Sequence, residues 1–394
     1  MRGYEQTHPW ITFKANGIND LGPDLWMLLG EAHSKCEHLA GTPLRPDSAR
    51  KLYEVALIKG ALASTAIEGN TLTEDQVAGL VAGTYTPPPS REYQAREVRN
   101  VIEALEDITR HVTSGERPTI TVDLICEFNR RILDGTEYED YVIPGAIRDY
   151  SVGVPGYRGA PAEDCQYLVD RLSTWLESDT FRNADREYAF ALTVACAIYA
   201  HLYIAWIHPF GNGNGRTARL LEFLILARSG MVPLPAANLL SNHYNLTRDR
   251  YYSRLADASR TLKTTSFLSY AVQGLVDGIR DQISHVRREQ FDVAWINYVH
   301  ETMNSTFPSS PSRDRQRSLV LAMPPGKTLP RAQLEQLTTK LTALYAKAGP
   351  RTLSRDLNRL RSVGLIVKSS RGWRSNQQII RAFLPPMAEP ENSS

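Results

Sequence analysis

Apolar residues recur at helical spacing from Asp24 to about His38. They do so again from about Asp47 to Ile67, where Leu52, Val55, Ala56, Ala63 and Ile67 hold apolar positions. Asp47 or Ser48 stands where an N-cap belongs, and Gly69 where the second helix ends. Thr73 and Gln76 have capping-box spacing for the next helix. Residues 84–89, ending in three prolines, predict a loop, because consecutive prolines cannot propagate a helix. Helical patterns return at Glu92–Thr113 and Val122–Leu133. Between Ile143 and Pro161, glycines 145, 153, 156 and 159 punctuate a short apolar and aromatic stretch, which predicts a hairpin. Helices then run from Cys165 to about Gly230, break at 208–215, and continue to about Arg288.

One span, residues 189–207, contains no Asp, Glu, Lys or Arg and is long enough to cross a bilayer. It is rich in Ala, carries Thr193, Tyr199, His201 and Tyr203, and has no companion span. A helix apolar on every face is equally what the centre of a soluble bundle needs, and no membrane is expected.

The last quarter has its own grammar. Ser305–Arg317, rich in Ser, Pro and Arg, predicts a linker or exposed loop, followed by an apolar run at Leu319–Met323 and a helix over Pro330–Lys347. After the Gly349-Pro350 break, a helix from Thr352 puts Leu353, Leu357 and Leu360 on one face, and Gly364 stops it. Two extended runs around Ser369-Ser370-Arg371-Gly372 predict a hairpin. Helix, turn, helix, hairpin is the order of a winged helix-turn-helix. The chain therefore divides into 1–113, 114–288 and 289–394. The fold class is mainly α with a short β-hairpin, plus a small α+β unit at the C-terminus.

Composition narrows the function classes. The 394 residues are 42% hydrophobic and 22% charged, a globular balance. With 45 basic against 43 acidic residues, bulk electrostatics is excluded as the chain's business. Within residues 351–381, however, eight basic residues meet one acid, Asp356, a footprint suited to DNA or protein contact. Cys36, Cys126, Cys165 and Cys196 are scattered, which argues against a disulfide scaffold or a cysteine zinc site and fits a reducing cytoplasm. The opening MRGYEQTHPW lacks the apolar core of a signal peptide. His33, Cys36 and His38 do not make a metal site, since helix positions 33 and 38 diverge by about 140°.

The chemistry concentrates between Ile207 and Arg219, in His208-Pro-Phe-Gly-Asn-Gly-Asn-Gly-Arg-Thr-Ala-Arg219. Gly211, Gly213 and Gly215 allow positive φ and close approach of a ligand. A helix beginning near Arg216 aims free amides at that loop, a cradle for a polyphosphate. Arg216 and Arg219, three apart, can face the same anion, and His208 at the edge can take a proton from a hydroxyl. No Walker ending and no Gly-x-Gly-x-x-Gly after a strand is present.

This string resembles the Fic family pattern, matched by His208, Phe210, Gly213, Asn214, Gly215, Arg216 and Arg219. The resemblance implies transfer of AMP from ATP, with Mg²⁺, to a hydroxyl side chain of a target protein. His208 would be the base and Phe210 the anchor of the loop. Asn214 and the loop amides would hold the α-phosphate, and Arg216 and Arg219 the outer phosphates. The family's acidic position is Asn212 here, an oxygen ligand without charge, so metal affinity should fall. Upstream, Ser64-Thr-Ala-Ile-Glu68-Gly69 resembles the family's inhibitory motif, which implies that Glu68 pairs with Arg219. The segment Ala146–Val154, with Ile147, Tyr150 and Val152, resembles the flap that docks a target by strand addition. Tyr251 and Tyr252 resemble a pair near the adenine pocket. The same core could instead remove AMP, or sense nucleotide for a DNA-binding regulator; self-modification and a homodimer are further options.

Overall fold

Helix Arg186–Ile207 has no polar face, so it folds stably only where other elements cover it on all sides. In the computed structural model, which describes residues 2–15, 21–154, 157–182 and 186–381, that is its position. The helices Asn214–Arg228, Ala162–Leu176, Asp179–Arg182 and Pro23–Ala40 pack against it, and nearly all of the span Tyr188–Ile207 is buried. The motif helix Asn214–Arg228 also packs on Pro46–Ala66, Glu92–Thr113 and Val122–Leu133.

Two compact units result, residues 1–284 and 285–394. The expected boundary near 113 falls inside the first unit, because the N-terminal helices share the core of the motif helix. The one near 288 lies a few residues from the observed division. Glu92–Thr113 and Val122–Leu133 begin and end where the periodicity places them. Thr73 accepts from the Gln76 amide, closing the predicted capping box. The helix expected from Asp47 starts at Pro46 with Arg45 as N-cap, so neither Asp47 nor Ser48 caps it.

Three expectations need correction. The hairpin is shorter and later than expected: Gly153–Val154 pairs with Tyr157–Arg158, while Gly156 of its turn lies outside the described residues. Ile147 and Tyr150 precede the strands: in this register Tyr150 would face Pro161, which has no amide to donate, and the Arg148 guanidinium takes the Tyr150 carbonyl at 2.6 Å. Val152 joins only through its carbonyl, which accepts from the Gly159 amide. Ser305–Arg317 is largely helical, since Thr265–Thr306 runs into it and Pro311–Ala322 fills its second half. Ser310 caps the Arg313 amide, and Gln316, Leu319 and Val320 turn inward. Its Ser and Pro mark helix ends, not coil. The helix expected over Pro330–Lys347 is two, Arg331–Leu334 and Thr339–Ala346, restarted by the Thr338 cap.

In the second unit, helices Pro311–Ala322, Thr339–Ala346 and Thr352–Ser362 precede an antiparallel hairpin, Ile366–Ser369 with Gly372–Ser375. Leu353, Leu357 and Leu360 enter its core with Leu319 and Trp373. Asp356 lies in that core and accepts from Arg315 at 2.7 and 3.2 Å, Gln316 at 2.7 Å and Tyr345 at 3.0 Å. Asp356→Ala strands an almost buried guanidinium, a change that costs roughly 3 kcal/mol or more. Hydrogen exchange should then accelerate across residues 311–375 while residues 162–228 keep their protection.

Candidate active site

The central helix ends at Ile207, and the chain turns there through His208 at φ 52°. That left-handed backbone costs a residue with a side chain about 1–3 kcal/mol and persists only where its surroundings enforce it. Phe210, almost fully buried, plugs the loop into the core. Asn214 closes the loop: its side-chain amide donates to the Phe210 carbonyl at 2.8 Å, and its oxygen accepts from the Phe210 amide at 2.9 Å. Asn214 thus shapes the cradle, with both its polar side-chain atoms engaged by the loop. Asn129 adds a brace, donating to the Asn212 carbonyl at 2.9 Å.

The motif helix begins at Asn214, earlier than expected, with Gly213 as its N-cap. The amides of its first turn have no helical acceptor and face the loop. Of the three glycines, Gly213 alone has positive φ, at 79°. The other two are required for space. A Cβ at Gly211 would sit 2.1 Å from the Tyr150 hydroxyl, and one at Gly215 would sit 2.2 Å from Glu68 Oε1.

Both arginines are buried and held by carboxylates distant in sequence, Glu68 from the turn after helix Pro46–Ala66 and Glu97 from helix Glu92–Thr113. Arg219 Nη2 donates to Glu68 Oε1 and to the Ser64 carbonyl, each at 2.7 Å, and Nε donates to Ser64 Oγ at 2.9 Å. Arg216 Nη1 donates to Glu97 Oε1 at 2.9 Å, and Nη2 to Asn212 Oδ1 at 3.2 Å. Arg219 Nη1 and Arg216 Nε are buried with no acceptor among the described residues, which leaves two cationic donors that an anion could satisfy. Gly69, at φ 101°, turns the chain behind Glu68 as expected.

The electrostatics divides the roles. Burial alone would raise the Glu68 pKa, but the charge and hydrogen bond of Arg219, helped by Arg216 and His208, carry it below the usual carboxylate value. Burial drives His208 down to about 4; a backbone bond at Ala205 opposes this, Arg148 adds to it, and Glu68 opposes it. At neutral pH the imidazole is therefore unprotonated and able to accept a proton.

The tyrosine pair is split. Tyr251 is buried, its hydroxyl bonded to His201 Nε2 at 2.8 Å and its ring stacked on Tyr244, so it belongs to the core. Tyr252 is half exposed and donates to the Ile67 carbonyl, beside Glu68. Around the motif, Tyr150 packs edge-on against Tyr141 at 5.1 Å, and Ile147 and Val152 are half-buried. Sequence reasoning missed Glu97, Asn70, Asn129 and Arg148. Asn70 follows the Glu68-Gly69 pair directly and donates to Glu97 Oε2 at 3.0 Å, a signal that adjacency could have raised.

The donor set does not fit a protein-held Mg²⁺. Asn212 offers a neutral oxygen already taken by Arg216, and no cluster of three His, Cys, Asp or Glu occurs among the described residues.

Residues 119–226 match the Fic/DOC family model. Protein adenylyltransferase fic-1 of Caenorhabditis elegans is 31% identical over 194 residues, 49% of this chain and 34% of that protein. Protein adenylyltransferase Fic of Nematostella vectensis is 28% identical over 207 residues, 52% of this chain and 46% of that protein. The chain thus spans between a third and a half of the length of these curated relatives. A Fic family protein from Desulfovibrio desulfuricans G20 superposes with TM-score 0.54 at 23% identity, covering 90% of this chain and 96% of that one. A structure of Fic-1 from C. elegans gives 0.56 at 24%, covering 67% and 73%. At these identities the superpositions establish the fold.

Glu68→Gln should lower stability at pH 7 by about 1 kcal/mol, a figure discounted because the Glu68 side chain is 34% exposed. The folded pKa of Glu68 is depressed, so its contribution is complete above the unfolded value and fades as pH falls through the folded one. Chemical denaturation should show the gap between wild type and Glu68→Gln closing below about pH 4.

Proposed function

We propose that this chain, which carries a Fic domain, transfers AMP from ATP to a hydroxyl side chain of a target protein and restrains itself through Glu68. The observation that carries this reading is the pair of buried, partly unsatisfied arginine donors beside an unprotonated histidine at a helix start. His208 takes the proton of the incoming hydroxyl as its oxygen bonds to the α-phosphorus. The bond from that phosphorus to the bridging oxygen breaks, and pyrophosphate leaves. The loop amides face the α-phosphate, and Arg216 and Arg219 the outer phosphates. Mg²⁺ enters as part of the substrate, MgATP, with Asn212 contributing no charge to it. Hydrogen bonding to strand Gly153–Val154 and its approach aligns the target segment. The four unpaired cysteines suit a cytoplasmic setting.

Glu68 opposes transfer because its carboxylate occupies the guanidinium that the γ-phosphate needs. Misplaced outer phosphates turn the α-phosphate out of line, an error worth on the order of 10²-fold in rate. Glu68→Gly should therefore raise AMP incorporation, self-modification included, read by mass spectrometry after incubation with ATP and Mg²⁺. His208→Ala should abolish it while leaving ATP binding within about threefold. Wild-type transfer in a folded Glu68→Gly protein that binds ATP would refute the inhibitory role. Loss of AMP removal from a modified target in that variant would favour the hydrolase reading.

A second reading concerns residues 285–394, which carry 17 basic and 8 acidic residues, against 28 and 35 in residues 1–284. Arg351, Arg355, Arg359, Arg361, Lys368, Arg371 and Arg374 are exposed, while the one acid of helix Thr352–Ser362, Asp356, is buried and paired. We infer a winged helix that binds duplex DNA through phosphate contacts. Fluorescence anisotropy with a random-sequence duplex should show binding that weakens linearly in log salt and falls in Arg355→Ala. Absence of binding at about 50 mM salt would leave this unit as a protein-contact module.

A further inference from the structure

Arg148 is almost completely buried, yet no carboxylate pairs with it among the described residues. Its guanidinium is satisfied by main-chain carbonyls alone. Nε donates to His208 at 2.7 Å, Nη1 to Tyr150 at 2.6 Å, and Nη2 to Ala160 at 2.6 Å and Ile207 at 3.4 Å. Its own amide donates to the Pro209 carbonyl at 2.9 Å. One residue thus joins the last residue of the central helix, the histidine and both sides of the hairpin through its side chain, and Pro209 through its amide.

These acceptors are not arbitrary. The carbonyls that end a helix carry partial negative charge, and a cation is stabilised there. With no helical partner of its own, the His208 carbonyl would otherwise be an unpaired acceptor in a half-buried place. Arg148 occupies it while the His208 amide still donates to the Ile204 carbonyl at 2.9 Å. The left-handed turn at His208 is thereby held from both of its peptide groups.

A second observation points the same way. A Cβ built on Gly159 would lie 2.8 Å from Arg148 Nη2 and 3.0 Å from His208 Cβ. The hairpin's closing residue is bare where the guanidinium and the histidine pass.

We propose that Arg148 is a positioning residue for the base: it caps the central helix, locks the backbone that aims the His208 imidazole, and couples that aim to the hairpin along which a target would lie. The proposal rests on His208 acting as the base of AMP transfer. Two charged groups face the imidazole, Arg148 disfavouring protonation and Glu68 favouring it. Arg148 therefore serves orientation and also the neutral state of the base.

The test uses the full chain and the readouts are the pH dependence of the His208 imidazole by NMR, ATP affinity by calorimetry, and AMP transfer in the Glu68→Gly background. In Arg148→Gln, His208 should titrate at higher pH than in wild type, toward its ordinary 6.5. Turnover should fall on the order of 10²-fold with ATP affinity within threefold. Arg148→Lys keeps the charge but cannot bridge three segments, so turnover should fall while the titration of His208 stays low. If Arg148→Gln fails to melt cooperatively, Arg148→Lys and Gly159→Ala carry the test; the latter crowds the clamp without removing the cation and should lower turnover with ATP binding unchanged. Wild-type turnover and wild-type His208 titration in folded variants would overturn the role of Arg148 alone. AMP transfer absent from Glu68→Gly itself, with a normal shift of His208 in Arg148→Gln, would sink the transferase reading instead.

Discussion

A helix without a polar face imposes its own surroundings. Because nearly all of the span Tyr188–Ile207 has to be covered, its C-terminus emerges inside the first unit and not at its surface. The last carbonyls of a helix have no helical partner; here Tyr157, Arg148 and the Ala160 amide supply partners to Trp206 and Ile207. The loop that follows is consequently short, closed by Asn214 on Phe210, and returned at once into a second buried helix. The burial of Phe210, Asn214, Arg216 and Arg219 follows from that placement as much as from the identity of the residues.

The same burial sets the problem of charge. Among the described residues of the first unit three arginines are buried, and each is neutralised differently: Arg148 by carbonyl dipoles, Arg216 by Glu97 and an amide oxygen, Arg219 by Glu68 and Ser64. Removing a cation from water is costly enough that none could remain there unpaired. The pairings differ in how replaceable they are. A carboxylate can yield to a phosphate of like charge, whereas a set of carbonyls fixed in the fold cannot move aside together. Two of the arginines are therefore suited to exchange partners, and the third to hold a shape.

Much of the first unit could be read from the chain, because its helices are long and strongly periodic and the motif residues are contiguous. Glu92–Thr113 and Val122–Leu133 emerge as written. What escapes is long-range pairing that no motif carries. Arg216 and Glu97 are 119 residues apart, and an acid on an amphipathic helix looks like any solvated position until its partner is known. The hairpin lies later than the local pattern suggests, because Pro161 offers no amide to Tyr150 in the register formed and Arg148 holds that carbonyl instead. In the second unit, Ser and Pro near 310 act as a cap and a first-turn residue, signals that composition alone confuses with a linker.

Asn70 donates both to the Gln94 carbonyl and to Glu97 Oε2, immediately after the turn that presents Glu68. The restraint on Arg219 and the partner of Arg216 are thus mechanically one piece. Displacing that turn from one guanidinium would strain, through Asn70, the carboxylate that holds the other. For a site that takes nucleotide as proposed above, a partner docking on helix Pro46–Ala66 would change nucleotide affinity by the same factor by which nucleotide changes the affinity for that partner.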